Sequence, residues 1–278
     1  PAYYQETAWS PDGTRIVTTR GSARDVQEAR GGFSGGLATE LVWVPASGGS
    51  ETFIAPQDGR SGLHFVTSAP GRIYASHGQR GLVSFRWDGS DEKQHLIVRG
   101  EVPVGGNGPG GVAGPVYMAP QGDLALAQSG NDLYVVTVPR VGGDVPTVSV
   151  GSPSFPVTRL TSDLGGEFAA WESNGRRVRW SIANAHFVYD LDRKEAVDDS
   201  LAAIREAEAE ADADADEEEA DEDVADEDEA DDEAGYEPEE HRIEVTYPRA
   251  IPRGTFVLRG GRAITMRGTE VIENADVV

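Results

Sequence analysis

Residues 8–17 read Ala8-Trp9-Ser10-Pro11-Asp12-Gly13-Thr14-Arg15-Ile16-Val17, which is a strand end, a polar turn and a second strand. Proline presets the corner of such a turn and glycine tolerates positive φ, so Pro-Asp-Gly is a tight-turn sequence. The residues that follow alternate polar and apolar side chains, as a half-buried strand does. The stretch therefore predicts a β-hairpin.

The same pattern returns three times along the chain. The turn glycines are Gly13, Gly71, Gly122 and Gly175, at spacings of 58, 51 and 53 residues. A further apolar strand follows each turn. Several short strands per repeat of this length are the signature of propeller blades, which must pack on neighbours to bury both sheet faces. We expect an all-β fold with a partial β-propeller of about four blades. A β-sandwich is the alternative, although it does not require repeats at this period.

Charge divides the chain sharply. The net charge is -24, yet residues 195–240 contain 25 acidic residues and one basic residue, Arg205, so the remainder is neutral. This distribution argues against a basic nucleic-acid-binding face and against a uniformly acidic surface. No apolar run is long enough for a membrane helix. Cysteine is absent, which excludes disulfides, thiolate catalysis and cysteine-based zinc sites.

The acidic segment separates two folded parts. We assign residues 1–193 to the propeller and residues 194–241 to an acidic linker rich in Ala, Asp and Glu, which has too little apolar surface to offset its ordering entropy. A helix could begin near Ser200, because Ala and Glu favour helices. Residues 242–278 then alternate again, starting with Ile243 to Tyr247, and predict a short β-meander. The chain starts at Pro1 and ends within this alternation, so we expect a fragment of a longer protein.

Two resemblances follow from these residues. The string Trp9-Ser10-Pro11-Asp12-Gly13 and its degenerate copies resemble the TolB-type propeller repeat over residues 1–193. The string from Phe256 to Met266, followed by Gly268 and by residues 271–275, resembles the N-terminal β-subdomain of the amidohydrolase superfamily, in the imidazolonepropionase-like branch. The order of the two resembles an architecture in which a propeller precedes a metal-dependent (β/α)₈ hydrolase.

The resemblance implies a function for the whole protein rather than for this chain. The propeller would position or filter substrate for a barrel that hydrolyses amide or related C–N bonds, and that barrel would be the propeller's partner. The divalent metal, zinc by this resemblance, would be held by barrel residues beyond Val278. We therefore name no catalytic, cofactor-binding or metal-binding residue in this chain. The resemblance also implies a periplasmic or extracellular location. The alternative is a TolB-like propeller that binds a protein or peptide.

Three short motifs imitate functional sites, but each lacks a feature that its site requires. Gly32 to Gly36 matches the nucleophile elbow around Ser34, without the strand before it and the helix after it. Gly106 to Gly111 matches a dinucleotide loop, but Pro109 and Pro115 deny the helix that must follow. Asp212 to Asp216 begins like a calcium loop, whose sixth position should be glycine. We interpret these as a blade loop, an inter-blade loop and solvated linker, respectively.

The histidines and tryptophans are the remaining candidates. No two histidines lie within four residues of each other, so no local metal pair forms, and we expect surface or blade positions for His64, His77, His95, His186 and His241. The tryptophans could line a ligand surface, but their strand positions favour packing between blades; they are Trp9, Trp43, Trp87, Trp171 and Trp180.

Overall fold

The computed structural model describes residues 2–22, 24, 39–102, 108, 110–140, 142–161, 165–215, 235–248 and 254–278, with the backbone alone for 210–215. These residues form two compact units, Pro1–Ile243 and Glu244–Val278.

The first unit consists of short strands and one described helix. Its strands are β1 (Ala2–Trp9), β2 (Arg15–Ser22), β3 (Thr39–Pro45), β4 (Thr52–Pro56), β5 (Arg60–His64), β6 (Arg72–His77), β7 (Gly81–Arg86), β8 (Lys93–Arg99), β9 (Val116–Met118), β10 (Leu124–Ser129), β11 (Asp132–Thr137), β12 (Thr147–Ser149), β13 (Val157–Arg159), β14 (Glu167–Trp171), β15 (Arg177–Ile182), β16 (Ala185–Asp190) and β17 (Glu239–Arg242). The helix, α1, spans Leu191–Ala215 and lies between β16 and β17.

These strands make four sheets, which we number as blades 1 to 4. Blade 1 is β1-β2-β3-β4, blade 2 is β5-β6-β7-β8, blade 3 is β9-β10-β11-β13, and blade 4 is β14-β15-β16-β17. Neighbouring strands within each blade are antiparallel. The short strand β12 adds to the edge of blade 2 in parallel with β8. The described residues therefore form a partial, propeller-like all-β fold, which confirms the predicted fold class.

Apolar side chains fill the space between successive blades, as the repeat predicts. One cluster joins blades 1 and 2 and includes Val17, Ile73 and Phe85. A second joins blades 2 and 3, and a third joins blades 3 and 4 around Val178 and Trp180. Among the tryptophans, Trp180 is buried. Three more are partly buried and pack against these clusters: Trp43, Trp87 and Trp171. Trp9 is 60% exposed and belongs to none of these clusters, so its packing between blades stays a prediction.

Side-chain oxygens hold the predicted turns in place. In blade 1 the Oδ1 atom of Asp12 accepts hydrogen bonds from the Ser10 hydroxyl at 2.6 Å and from the Thr14 backbone N–H at 3.0 Å. Gly13 completes the turn with a φ of 68°. The equivalent turn of blade 4 uses Asn174, whose Oδ1 accepts from the Arg176 backbone N–H at 3.0 Å. The turn chemistry of the sequence motif thus appears as actual hydrogen bonds.

The first strands of blades 1, 2 and 4 share a bulge that the sequence does not announce. Each register shift contains one residue with a left-handed backbone: Glu6 at φ 54°, Gly62 at φ 61° and Phe168 at φ 56°. Such a conformation costs a non-glycine residue about 1 kcal/mol or more. The Gly62 backbone N–H donates to the Glu6 carboxylate at 3.1 Å, which links the bulges of blades 1 and 2.

The acidic segment starts and ends within blade 4. Helix α1 follows β16 directly, and Asp190 caps it by accepting hydrogen bonds from the backbone N–H groups of Asp192 and Arg193 at 3.1 and 3.2 Å. At the other end, β17 pairs with β16 as the fourth strand of the blade. Residues 216–234 lie outside the described residues. The division at residues 193 and 241 stays a prediction, but strand β17 comes from within the stretch assigned to the linker.

The second unit contains a hairpin of β18 (Leu258–Ile264) and β19 (Val271–Val277). Ile243 to Tyr247, expected as a strand, is irregular, and Val245 and Tyr247 are 78% and 80% exposed. No described strand pairs with it, so its alternating side chains have no sheet face to cover. None of the helical segments in the described part of the chain has the length and apolarity of a membrane span.

Candidate functional site

The motifs that imitate known sites do not form them in the described residues. Gly32 to Gly36 lies outside these residues. Of the glycine run from Gly106, the described part is followed by an isolated bridge and by β9 rather than by a helix. Residues 212–215 belong to α1, so the start of the supposed calcium loop is helical, and the rest of that motif lies beyond the described residues.

The histidines divide between two blades. His64, His77 and His95 lie in blade 2, and His186 and His241 lie opposite each other on β16 and β17 of blade 4. The sequence alone does not indicate this pairing, because His186 and His241 are far apart along the chain. Nowhere in the described ranges do three His, Asp or Glu side chains come close enough to hold a metal ion. The described residues thus do not fit the divalent metal of an amidohydrolase, and we derive no step through one.

His64 joins blades 2 and 3 through both ring nitrogens. The backbone N–H of Met118 donates to Nε2 at 2.9 Å, and Nδ1 lies 2.8 Å from the carbonyl oxygen of Gly62. This arrangement requires a neutral ring with its proton on Nδ1. Burial lowers the pKa of His64 from 6.5 to about 4, against the raising effect of the Gly62 carbonyl. The ring is thus a fixed hydrogen-bonding element between two blades at neutral pH.

A second histidine continues the same aromatic stack. The ring of Tyr74 lies 5.7 Å from that of His64 and 5.1 Å from that of His95. Burial, followed by the positive charges of Arg72 and Lys93, lowers the pKa of His95 to about 4. Its Nε2 atom lies 2.6 Å from the Ser84 hydroxyl. Ser84 is fully buried, so this serine–histidine pair faces the core rather than a substrate.

The most distinctive exposed site lies between the turns of blades 1 and 2. A recess of about 450 Å³ is lined there by Ser10, Pro11, Asp12, Arg15, Pro70, Gly71 and Trp87. The guanidinium carbon of Arg15 lies 4.8 Å from the ring centroid of Trp43 and 5.0 Å from that of Trp87. The two indole rings meet edge to face, with centroids 6.2 Å apart. The recess therefore combines a large apolar wall with a cation held in place by aromatic rings.

The side chains that line this recess are held in place by neighbouring residues. Phe65 stacks behind Trp87, with ring centroids 5.5 Å apart, and both pack against the apolar cluster between blades 1 and 2. On the opposite wall, hydrogen bonds from Ser10 and Thr14 are the largest causes that lower the pKa of Asp12 to about 2, and Arg15 adds a smaller effect. The recess is thus a rigid apolar surface with fixed charges at its rim.

A smaller recess lies between blades 3 and 4. It has a volume of about 240 Å³ and is lined by Pro115, Tyr117, Leu126, Gln128, Leu133, Phe168 and Ala169. Phe168, the bulge residue, is 85% exposed. The volume falls below the range of about 300–1,000 Å³ that is usual for ligand pockets, and so the recess between blades 1 and 2 is the better candidate.

Sequence reasoning named Trp43 and Trp87 as strand residues but did not join them with Arg15. Trp43 belongs to β3 of blade 1, and Trp87 follows β7 of blade 2. Only the packing of one blade on the next brings them together. Two features of the sequence could have indicated this site. One is an arginine directly after the turn of a repeat, and the other is a tryptophan on, or just after, the third strand of adjacent repeats.

Comparison with known proteins adds context for the architecture. No protein-family model matches the chain, and no curated protein matches it. Among solved structures, an oligogalacturonate lyase in complex with manganese aligns at 11% identity, over 69% of this chain and 51% of that chain, with a TM-score of 0.45. The oligogalacturonate lyase of Vibrio parahaemolyticus aligns at 9% identity, over 68% and 52%, with a TM-score of 0.43.

A third structure, assigned as TolB from Agrobacterium tumefaciens, aligns at 15% identity, over 68% of this chain and 56% of that chain, with a TM-score of 0.39. The chain spans about half the length of the structures it matches. At these identities and TM-scores the likeness says nothing about the recess between blades 1 and 2. The described residues thus form a partial propeller-like all-β protein with a distinctive exposed recess between blades 1 and 2.

Proposed function

We propose that the four-blade unit is a binding module of a TolB-type propeller, and that the recess between blades 1 and 2 receives a peptide or a small molecule. One observation carries this proposal: Trp87 and Arg15 line an open recess of about 450 Å³ while their rear sides are fixed by packing. A rigid aromatic wall loses little conformational entropy on binding, and tryptophan and arginine are enriched among residues that dominate binding energies.

A second observation favours a more specific setting. The hairpin of the second unit exposes large apolar side chains along both strands; Leu258 is 71%, Ile264 is 67% and Ile272 is 45% exposed. An isolated two-stranded hairpin is at best marginally stable in water. This exposure supports our proposal that the hairpin packs against a further domain in the full protein. By the resemblance described above, we propose that this domain is an amidohydrolase barrel with its own divalent metal, in an exported protein. The propeller recess would then hold substrate for that barrel.

Selection of random heptapeptides on the immobilised full chain tests the binding proposal. Enriched peptides should bind the wild type with a micromolar Kd and bind Trp87→Ala at least tenfold more weakly, by isothermal titration calorimetry. Gly71→Phe should block binding as well, because Gly71 lines the recess and has open space around it. Trp9→Ala is the matched control, since Trp9 is exposed outside the recess. Equal affinity for wild type, Trp87→Ala and Gly71→Phe would refute the proposal.

A further inference from the structure

The guanidinium of Arg15 is held in place by two aromatic rings. It lies against Trp43 and Trp87, with carbon-to-centroid distances of 4.8 and 5.0 Å, while the Arg15 backbone N–H donates to the Ser10 hydroxyl at 2.9 Å. Across the part of the chain that the structure describes, no carboxylate forms an ion pair with it. Among the described residues none accepts a hydrogen bond from this half-buried guanidinium, whose N–H donors form a fixed fork.

Blades 2 and 4 have an arginine at the same position as Arg15, whereas blade 3 has Leu124 there. Arg15, Arg72 and Arg177 are each the first residue of the second strand in blades 1, 2 and 4. Arg72 binds the Asp91 carboxylate at 2.8 Å, and Arg177 binds the Asp190 carboxylate at 2.7 Å. In blades 2 and 4 the arginine is neutralised within its own blade.

In blade 1, no acidic residue lies across the strand pair from Arg15. The cross-strand neighbour of Arg15 is Pro45, whereas the neighbour of Arg177 is Asp190 itself. The one acid that lines the recess, Asp12, uses Oδ1 for the Ser10 and Thr14 hydrogen bonds. The Arg15 guanidinium thus takes the faces of two indole rings in place of a carboxylate.

We propose that Arg15 binds a carboxylate group of the ligand, whose apolar remainder packs on Trp87. This inference rests on the proposed function of the same recess. A guanidinium can bind a carboxylate through two parallel hydrogen bonds, which gives geometric specificity as well as energy. Its position against two aromatic rings lowers the ordering cost that a free arginine side chain would carry.

Charges around the recess agree with an anionic ligand. An adjoining recess shares Gly71 and Trp87 and is lined by three basic side chains, Arg72, Arg86 and Lys93, against two acidic ones, Asp88 and Asp91. A cationic ligand fits less well, because the aromatic faces that attract cations are already covered by the protein's own guanidinium. Asp12 opposes an anion only weakly, because it is exposed and the surrounding water weakens its interaction with a charge in the recess.

The test compares two ligands that differ only in charge: N-acetyl-glycyl-phenylalanine as the free acid and as its C-terminal amide. Binding to the full chain is measured by calorimetry at low salt. The wild type should bind the acid about tenfold more tightly than the amide, as expected for a charge-assisted pair. Arg15→Met keeps the stem between the rings and should remove this preference. Arg15→Lys, which cannot bind bidentately, should retain part of it.

Asp12→Asn is the matched control, because asparagine keeps the Oδ1 acceptor of the turn and removes the charge. It should raise the affinity for the acid about two- to threefold relative to the affinity for the amide. Circular dichroism and thermal melting confirm that each variant folds. If the acid preference persists in Arg15→Met, the carboxylate binds elsewhere and the inference is refuted.

The remaining outcomes separate this inference from the proposed function. If acid and amide bind equally and both need Trp87, the recess binds ligands but does not select an anion, so only the inference falls. The same holds if neither compound binds while selected heptapeptides bind in a Trp87-dependent way without needing an acidic group. If neither compound binds and no peptide depends on Trp87, the inference and the proposed function both fall.

Discussion

Protonation of His64 should destabilise the contact between blades 2 and 3. The ring accepts a hydrogen bond from the Met118 backbone N–H at 2.9 Å, and a protonated ring has no acceptor to offer. The titratable rings packed around His64 are Tyr74 and Tyr117, and His95 stacks on Tyr74. None of these supplies a negative charge at neutral pH that would stabilise an imidazolium.

The sign and size of the effect follow from the two pKa values of His64. Burial lowers its pKa from 6.5 in the unfolded chain to about 4 in the folded one. The unfolded chain therefore binds more protons between these values, and the stability that is fully present above pH 6.5 is lost as the pH falls toward 4. The difference corresponds to at most about 3 kcal/mol, and the partial solvent exposure of the residue reduces it.

Urea unfolding between pH 7 and pH 4 measures this loss. His64→Gln should lose less stability than the wild type over that range by about 2–3 kcal/mol, since glutamine can accept the Met118 hydrogen bond without titrating. His241→Gln is the matched control, because His241 is exposed on β17, and its curve should follow the wild type. His95 contributes in the same direction, so some pH dependence remains in His64→Gln.

A second readout does not depend on the stability of the variant. The imidazole Cε1–H resonance of His64, followed by NMR in the folded wild type, should titrate with a midpoint near pH 4, and the Met118 amide should shift with it. A midpoint above pH 6, or parallel stability curves for the wild type and His64→Gln, would refute the reasoning.

Three further predictions concern backbone and capping. Gly81→Ala should destabilise the fold by more than about 2 kcal/mol in urea unfolding, because a Cβ there would lie 2.3 Å from a backbone oxygen at φ 69°; Gly13→Ala, at φ 68° with open space, should cost only about 1 kcal/mol. Equal costs would contradict the steric argument. Burial raises the pKa of Asp190, but the ion pair with Arg177 and the capping hydrogen bonds outweigh this and hold it below its usual value. Asp190→Ala should therefore cost about 2 kcal/mol and Asp190→Asn about half of that, since asparagine still caps the helix; the reverse order in thermal melting would argue against the cap. Phe168→Gly should raise stability by up to about 1 kcal/mol by relieving an exposed left-handed residue, and a loss of stability would mean that the aromatic ring packs on something in solution.

The tight turns could be predicted from the sequence because their chemistry is local. Ser10, Asp12 and Gly13 form the expected turn within five residues, and the repeat of such turns indicates blades before any contact is known. Strand β17 could not be predicted in the same way. Its four residues, Glu239 to Arg242, are all polar and exposed, so the strand exists because β16 offers an unpaired edge.

For the candidate site, too, the sequence indicates some features and only the packing of the blades decides the others. The sequence places tryptophans on β3 and just after β7, an arginine after the first turn, and the net negative charge in one segment. It cannot show that Trp43, Arg15 and Trp87 meet, because residues 72 positions apart come together only where one blade packs on the next. Nor can it show that no carboxylate of the described residues forms an ion pair with Arg15, since this depends on which residue lies across the strand pair. Local turn chemistry and periodicity determine that the chain forms blades; the packing between blades decides which side chains share a surface, because that contact depends on burial over long sequence distances.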